Sequence, residues 1–260
     1  MAKLRRDEPT LLTDEFLVES QGFVRSRMDQ KRDLALIMSE FPVFRRRRLL
    51  NHHFKEATGT DIEMLRKYFN SKKSKIILYS TTQKLNKLSE KPSDRDVFYF
   101  LAKLLDETLD DLILKKEVVI YLKFDNFKIK KSLMFQIGTR IDEIRDEAAA
   151  PVLIAIDIGN GADMYYVFAD RTRLSEGTTD FVCAIQDLMS VHYVHSFMYL
   201  KSAAKFLELV QEYFLKIFTT KGSKSSAVRI GKQQRTVKKV IASLSQYESP
   251  KQKEPPLDQI

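Results

Sequence analysis

The run SDRDVFYFLAKLLDETLDDLIL, from Ser93 to Leu114, leaves this chain little freedom in fold class. Val97, Phe98, Leu101, Leu104, Leu105, Leu109 and Leu112 recur at three- and four-residue steps and collect on one helical stripe. Asp94, Lys103, Asp106, Glu107 and Asp110 stand opposite. An apolar stripe must be covered, so the run predicts one amphipathic helix, opened by Pro92 and Ser93 and packed on other helices.

Partners for it recur along the chain. TDIEMLRKYF begins with Thr60 and carries Glu63 three residues later, the pattern of a capping box. Phe181 to His195 and Lys201 to Phe218 repeat the stripe through Phe181, Ile185, Leu188 and His192, and through Phe206, Leu207, Val210, Phe214 and Ile217. These two are expected to pack as a pair. Strand signals are fewer: Val152 to Ile158 and Met164 to Ala169 are short and rich in β-formers, and Gly159, Asn160 and Gly161 between them supply the positive φ of a tight hairpin. EVVIYLKF, Glu117 to Phe124, reads as a third strand or as a continuation of the preceding helix. The fold class that follows is α+β: one helix-rich domain over residues 12–218 with a small antiparallel hairpin or sheet. A flexible arm over 1–11 precedes it, and a basic disordered tail over 219–260 follows.

That tail holds much of the charge. Residues 221–260 contain nine Lys and Arg against three acids, a surplus of six within a chain of net +9. The segment is rich in Ser, Gln, Lys and Pro, and too poor in apolar groups to offset the entropy of ordering it. RTVKKVIASLSQY nevertheless keeps Val237, Val240, Ile241 and Leu244 at helical spacing, so a helix is expected to form there on a partner. A single cysteine, Cys183, excludes an internal disulfide; with no charged-then-apolar leader and no apolar run of about 18 residues, the expected location is intracellular, nuclear rather than cytoplasmic, and no membrane partner is expected.

Each candidate for catalysis or cofactor binding also has a plain structural reading. IDIGNG, from Ile156 to Gly161, resembles the phosphate-binding hairpin of actin-like ATPases and small-molecule kinases, in which an Asp orients a metal-bound water and turn amides cradle phosphate. In those proteins the hairpin opens the domain and further loops follow over more than a hundred residues, whereas 86 follow Leu174 here. A structural hairpin is therefore expected. His192 and His195 lie three apart but have no third ligand at metal spacing, and His192 falls on the apolar stripe. His52 and His53 stand beside a basic run without a matching Asp or Ser arrangement, and Asp157, Asp163 and Asp170 are read as turn and strand-end residues. Cys183, in the first turn of a helix, is read as packing. No constellation supports a named reaction, so neither catalysis nor a cofactor is expected.

FPVFRRRRLLNHHFKEATG, Phe41 to Gly59, is the least neutral segment. Arg45, Arg46, Arg47 and Arg48 begin the helix implied by Leu49, Leu50 and Phe54, at the end whose dipole favours acids. Something else must favour them: solvation of a charged face, or a phosphate backbone. The candidate nucleic-acid contacts are these four with Lys221, Lys224, Arg229, Lys232, Arg235, Lys238 and Lys239; the expected function is that of a non-enzymatic interaction protein whose partner is nucleic acid or an acidic protein, with a protein–protein scaffold as the alternative and a nucleotide-binding enzyme using the IDIGNG hairpin behind both.

In the same segment Phe41, Pro42, Val43 and Phe44, then Phe54 and a closing Thr58-Gly59, followed in order by KIILYS at Lys75, PVLIAIDIG at Pro151, YYVFAD at Tyr165 and AIQDLMSVHYVHSFMYLKSAAKFLELVQEYF from Ala184, resemble the C-terminal module of uncharacterised animal proteins labelled sterile-alpha-motif-domain-containing-protein-three-like. The resemblance covers about 39–218. It implies two strands preceding two helices, a multiplied group of mobile-element origin, and no catalytic residue to carry over. The chain departs from that pattern in having no sterile alpha motif domain and no Trp, and in being more basic at Arg45 to Arg48 and at His53.

Overall fold

A computed structural model describes residues 12–29, 33–82, 87–116, 149–158, 161–218 and 230–247. In chain order the elements are α1 (Asp14–Asp29), α2 (Leu34–Glu40), a 3-10 turn (Pro42–Arg45), α3 (Arg47–Thr58), α4 (Glu63–Thr82), α5 (Asp94–Lys103), β1 (Ile113–Lys116), β2 (Val152–Asp157), β3 (Asp163–Ala169), β4 (Thr172–Arg173), α6 (Phe181–Val194), α7 (Ala204–Leu209), a π turn (Val210–Phe214) and α8 (Ile230–Gln246). Helices dominate, and the strands form one small four-stranded sheet in the order β1-β2-β3-β4. The α+β class follows.

The helices start where backbone donors find partners. Ser93 and Asp96 form a reciprocal capping box at α5, and the Asp180 carboxylate accepts from the Cys183 amide, 2.9 Å away, at the start of α6. At α4 the Glu63 amide is capped by Asp61, not by Thr60 as the spacing suggests. Gly59, at φ +70, ends α3 in the left-handed conformation that costs glycine least.

The helix expected over 93–114 is shorter. α5 stops at Lys103 because the backbone closes a Schellman turn: the Glu107 amide donates to the Ala102 carbonyl (3.1 Å), the Asp106 amide to that of Lys103 (3.1 Å), and Asp106 takes φ +55. Leu105, Leu109 and Leu112 remain in the core, but as residues of a turn that leads into β1.

The sheet is mixed, not antiparallel throughout. β2 pairs antiparallel with β3, Val152 opposite Phe168 and Asp157 opposite Asp163, as the expected hairpin. On its other edge β2 runs parallel to β1, Ile113 opposite Leu153. A strand paired on both sides and covered on both faces reads as a continuous apolar run, and PVLIAI is one. Leu153, Ala155, Tyr165 and Val167 face the main helical core, while Val152, Ile154, Ile156, Tyr166 and Phe168 form a second apolar cluster. The strand read at Glu117 to Phe124 lies outside the described residues, as do Gly159 and Asn160 of the hairpin turn.

The core joins α3, α4, α5, α6 and α7 through stacked rings. Phe69 and Phe98 lie parallel at 4.6 Å, with Phe214 and Phe206 edge-on to the Phe98 ring. Both helices expected from Phe181 and Lys201 onward are present, the second split into α7 and the π turn, but they do not pack chiefly on each other: α6 lies mainly against α3, and α7 against α8.

The basic segment after residue 218 corrects one expectation. Residues 230–246 form α8, whose Val237 and Leu244 are buried in the main core, with Val240 and Ile241 half-buried beside them and Tyr247 edge-on to Tyr79 of α4 at 5.6 Å. The surface that orders this helix belongs to the chain itself, α7 and α4. An amphipathic stripe ordered by burial outweighs a polar average composition.

Candidate polyanion-binding surface

The four arginines at the start of α3 are the first candidates, and each finds an intramolecular acceptor. Arg45 Nε donates to the Arg173 carbonyl at 3.1 Å, while the Arg45 carbonyl accepts from the Glu176 amide at 3.0 Å. Arg46 pairs with Glu176 at 2.9 Å. Arg47 makes a two-pronged contact with Asp187 of α6, Nε to Oδ1 and Nη2 to Oδ2, both 2.8 Å. Arg48 reaches Asp14 of α1 at 2.8 Å, but this pair is largely in solvent.

The Arg47 and Asp187 pair is the buried one. Asp187 is 1% exposed, and burial pushes its carboxyl above the ordinary carboxylate range even with the guanidinium beside it. Hydrogen bonding to Asp187 holds Arg47 charged. A planar fork meeting a carboxylate edge-on fixes both position and orientation, so this contact locks α3 onto α6. Cations at an unfavourable helix end are thus explained by acids brought up from other elements, an arrangement neither of the sequence-level readings contained.

Of the tail candidates, Arg235, Lys238 and Lys239 lie on α8 with their side chains exposed, on the turns whose apolar side is buried through Val237 and Leu244. Lys238 is near enough to the buried Glu212 for its charge to act against the upward push that burial gives the Glu212 carboxyl. Lys232 is on the same helix. Lys221, Lys224 and Arg229 lie outside the described residues.

The groups named above as catalytic or metal-binding candidates lie as follows. Asp157 ends β2 and is exposed, and Gly161 turns the hairpin at φ +74 while the Ile158 amide donates to the Ala162 carbonyl at 2.9 Å. Asp163 is bonded to Arg95 of α5 at 2.8 Å. His192 is fully buried, its ring edge-on to Tyr199 at 4.9 Å. His195 follows α6, and burial, followed by the charge of His53, pulls its imidazole down to about 4. Burial, then His52, does the same to His53. Cys183 is half-buried, and burial pushes its thiol up, away from the reactive thiolate. Among the described residues no group of three His, Cys, Asp or Glu side chains is gathered to hold a metal ion, and no helix is long and apolar enough to cross a membrane.

Sequence reasoning missed two polar sites. Glu107, read as part of a solvated helix face, turns inward and caps α7, accepting from the Lys205 amide at 3.1 Å and the Phe206 amide at 2.8 Å. The Lys205 ammonium in turn donates to the Leu105 carbonyl. The α7 N-cap residue is Ala203, which has no capping group of its own, and that gap in an otherwise helical pattern was the available signal. The second site is Lys72 of α4, which donates to the Tyr213 carbonyl at 2.8 Å and lies 3.5 Å above the Tyr213 ring, with Lys216 close by. No family model matches this chain, and no curated protein or solved structure matches it.

Proposed function

We propose that this chain is a non-enzymatic interaction protein that associates with nucleic acid through the cationic outer side of α8. The observation that carries the reading is the exposure of Arg235, Lys238 and Lys239 on a helix whose apolar side is docked on the domain. A docked helix presents its cations at fixed spacing, so phosphates meet a preformed stripe instead of a chain that must first be ordered. Arg46 and Arg47 take a lesser part than their density in the sequence suggests, because their charge is already met by Glu176 and Asp187. Nuclear residence belongs to the same proposal and rests on the basic surplus of 221–260. So does kinship with the sterile-alpha-motif-domain-containing-protein-three-like module, which rests on the order of the quoted segments.

The test is binding of duplex and single-stranded oligonucleotides as a function of salt. Each phosphate neutralised contributes about 0.9 to the slope of log affinity against log salt on duplex DNA. Changing Arg235, Lys238 and Lys239 together to Gln is expected to lower that slope by about 2 to 3 and leave the melting temperature nearly unchanged, because exposed side chains away from caps and cores carry little stability. Absence of binding to either strand form at about 50 mM salt, where electrostatic attraction is weakly screened, removes the proposal.

A further inference from the structure

Lys72 and Lys216 bring two cations onto one small surface between α4 and the chain that leaves the π turn, with Lys75 near enough for its charge to act on Lys72. The Lys72 ammonium sits 3.5 Å from the centre of the Tyr213 ring and 5.2 Å from that of Tyr68. Lys216 lies over the same two rings at 5.6 and 5.5 Å. Lys75 is one turn further along α4 and exposed. Two ammonium groups share one aromatic floor.

This arrangement is costly as it stands. The Tyr213 carbonyl accepts from Lys72, and ring faces attract both cations, but no described carboxylate forms an ion pair with Lys72 or Lys216. Burial, then Lys216 and Lys75, pulls the Lys72 amine down to about 7. Lys73, the next residue on α4, shows how such a charge is ordinarily met: it reaches Asp94 at 2.6 Å. Lys216 is moreover held at φ +59, a conformation unfavourable for any residue with a Cβ. Repulsion between ammonium groups and backbone strain converge on one residue.

We propose that Lys72, Lys75 and Lys216, over the Tyr68 and Tyr213 rings, form a binding site for a phosphate group. A dianion placed between the ammonium groups removes their mutual repulsion and gives each the counter-charge the described residues do not supply. The tyrosine rings fix the two lysines from below and leave their outward N–H donors for the anion. The site does not depend on the α8 cations and stands or falls separately from them.

The experiment measures the melting temperature of the full chain in inorganic phosphate, with ionic strength matched by chloride, for the wild type, Lys72→Met and Lys216→Gly. A ligand at about a hundred times its dissociation constant raises the melting temperature of a chain this size by roughly 5 °C. The wild type is expected to show such a rise, and both variants are expected to need roughly tenfold more phosphate for it. In chloride alone Lys216→Gly melts no lower than the wild type, because glycine accepts the positive φ and the repulsion is gone. A wild type that does not respond to phosphate, or variants that respond as it does, overturns the proposal. If Lys72→Met fails to fold, Lys216→Gly decides. A single-stranded oligonucleotide titrated against the same proteins separates the sources. Oligonucleotide binding weakened by Lys216→Gly assigns the site to nucleic-acid phosphate, and a phosphate response with unchanged oligonucleotide binding assigns it to a small phosphate compound. Oligonucleotide binding without any phosphate response sinks this site and leaves the α8 reading in place.

Discussion

Replacing Arg47 by Met tests whether the arginine run is an internal fastening or an outward-facing charge. The side chain makes both of its 2.8 Å hydrogen bonds to Asp187, which is 1% exposed. Met keeps most of the volume and removes the fork, leaving a buried carboxylate without a counter-charge. Breaking a buried pair in this way costs about 3–5 kcal/mol. Arg47 itself is 27% exposed, so water reaches one side of the pair and the lower end, about 3 kcal/mol, applies. That is a fall in melting temperature of roughly 6–12 °C. Adding Asp187→Leu removes the orphaned charge and is expected to recover most of the loss. The single variant's deficit relative to wild type is also expected to shrink as pH falls toward the range in which the stranded Asp187, already raised by burial, takes up a proton. Arg48→Gln is the control, since its pair with Asp14 is 55% and 92% exposed and worth about 0–1 kcal/mol at most. Thermal melts and urea titrations of these four proteins decide the matter. An Arg47→Met protein that melts within about 1 °C of wild type while losing nucleic-acid affinity would refute the fastening and restore the run as a phosphate-binding patch.

Asp106→Gly is expected to raise stability by about 0.5–1 kcal/mol, because Asp106 holds φ +55 in the Schellman turn; a loss of similar size in urea titration would mean that α5 continues through this position. Glu107→Ala uncovers the Lys205 and Phe206 amides and is expected to cost about 1–3 kcal/mol, with early hydrogen exchange at Phe206 as its signature. His53 and His195, each drawn down to about 4 by burial, stay neutral in the folded chain while the unfolded chain takes up protons below about 6.5. Their contribution is therefore complete above pH 6.5 and lost as pH falls from there to about 4, by roughly 1.4 kcal/mol per pH unit for each histidine. His53→Phe is expected to flatten that acid limb in melts between pH 7 and 4.5, and an unchanged limb counts against the assignment. Val237→Asp puts a charge into the seat of α8 and is expected to lower the melting temperature, as is ending the chain at Thr219, which uncovers the same seat; equal melting temperatures for truncated and full chains would return α8 to the status of a free arm.

The legible parts of this fold are those encoded by neighbouring residues. Ser93 could be read as a helix start and the hairpin from its strand composition and turn glycines, whereas the capping box suggested by Thr60 and Glu63 is replaced by a cap from Asp61. The unreadable parts depend on partners far along the chain. The apolar spacing of Leu109 and Leu112 correctly marks them as buried, but burial periodicity survives in a tight turn, so the stripe could not reveal that the helix ends at Lys103. What ends it is backbone geometry at Asp106, followed by Glu107, whose capping role depends on α7 residues 98 and 99 positions away. The parallel pairing of β1 was equally hidden, because four residues, ILKK, carry no register of their own and acquire one only against β2.

Charge was only half legible for the same reason. A run such as Arg45 to Arg48 states its sign but not whether that sign is already answered, and Glu176 and Asp187 answer Arg46 and Arg47 from 130 and 140 positions further on. What can act on a partner is the charge left after such pairs are removed. By that reckoning the eye moves from the densest cluster in the sequence to cations that looked ordinary there: Arg235, Lys238 and Lys239 on a docked helix, and Lys72 with Lys216 over a tyrosine floor. Density of like charge is cheap for a chain to keep wherever acids can be folded against it. Two ammonium groups held together without an acid are not, and it is at such unanswered places that a ligand of opposite charge gains most by binding.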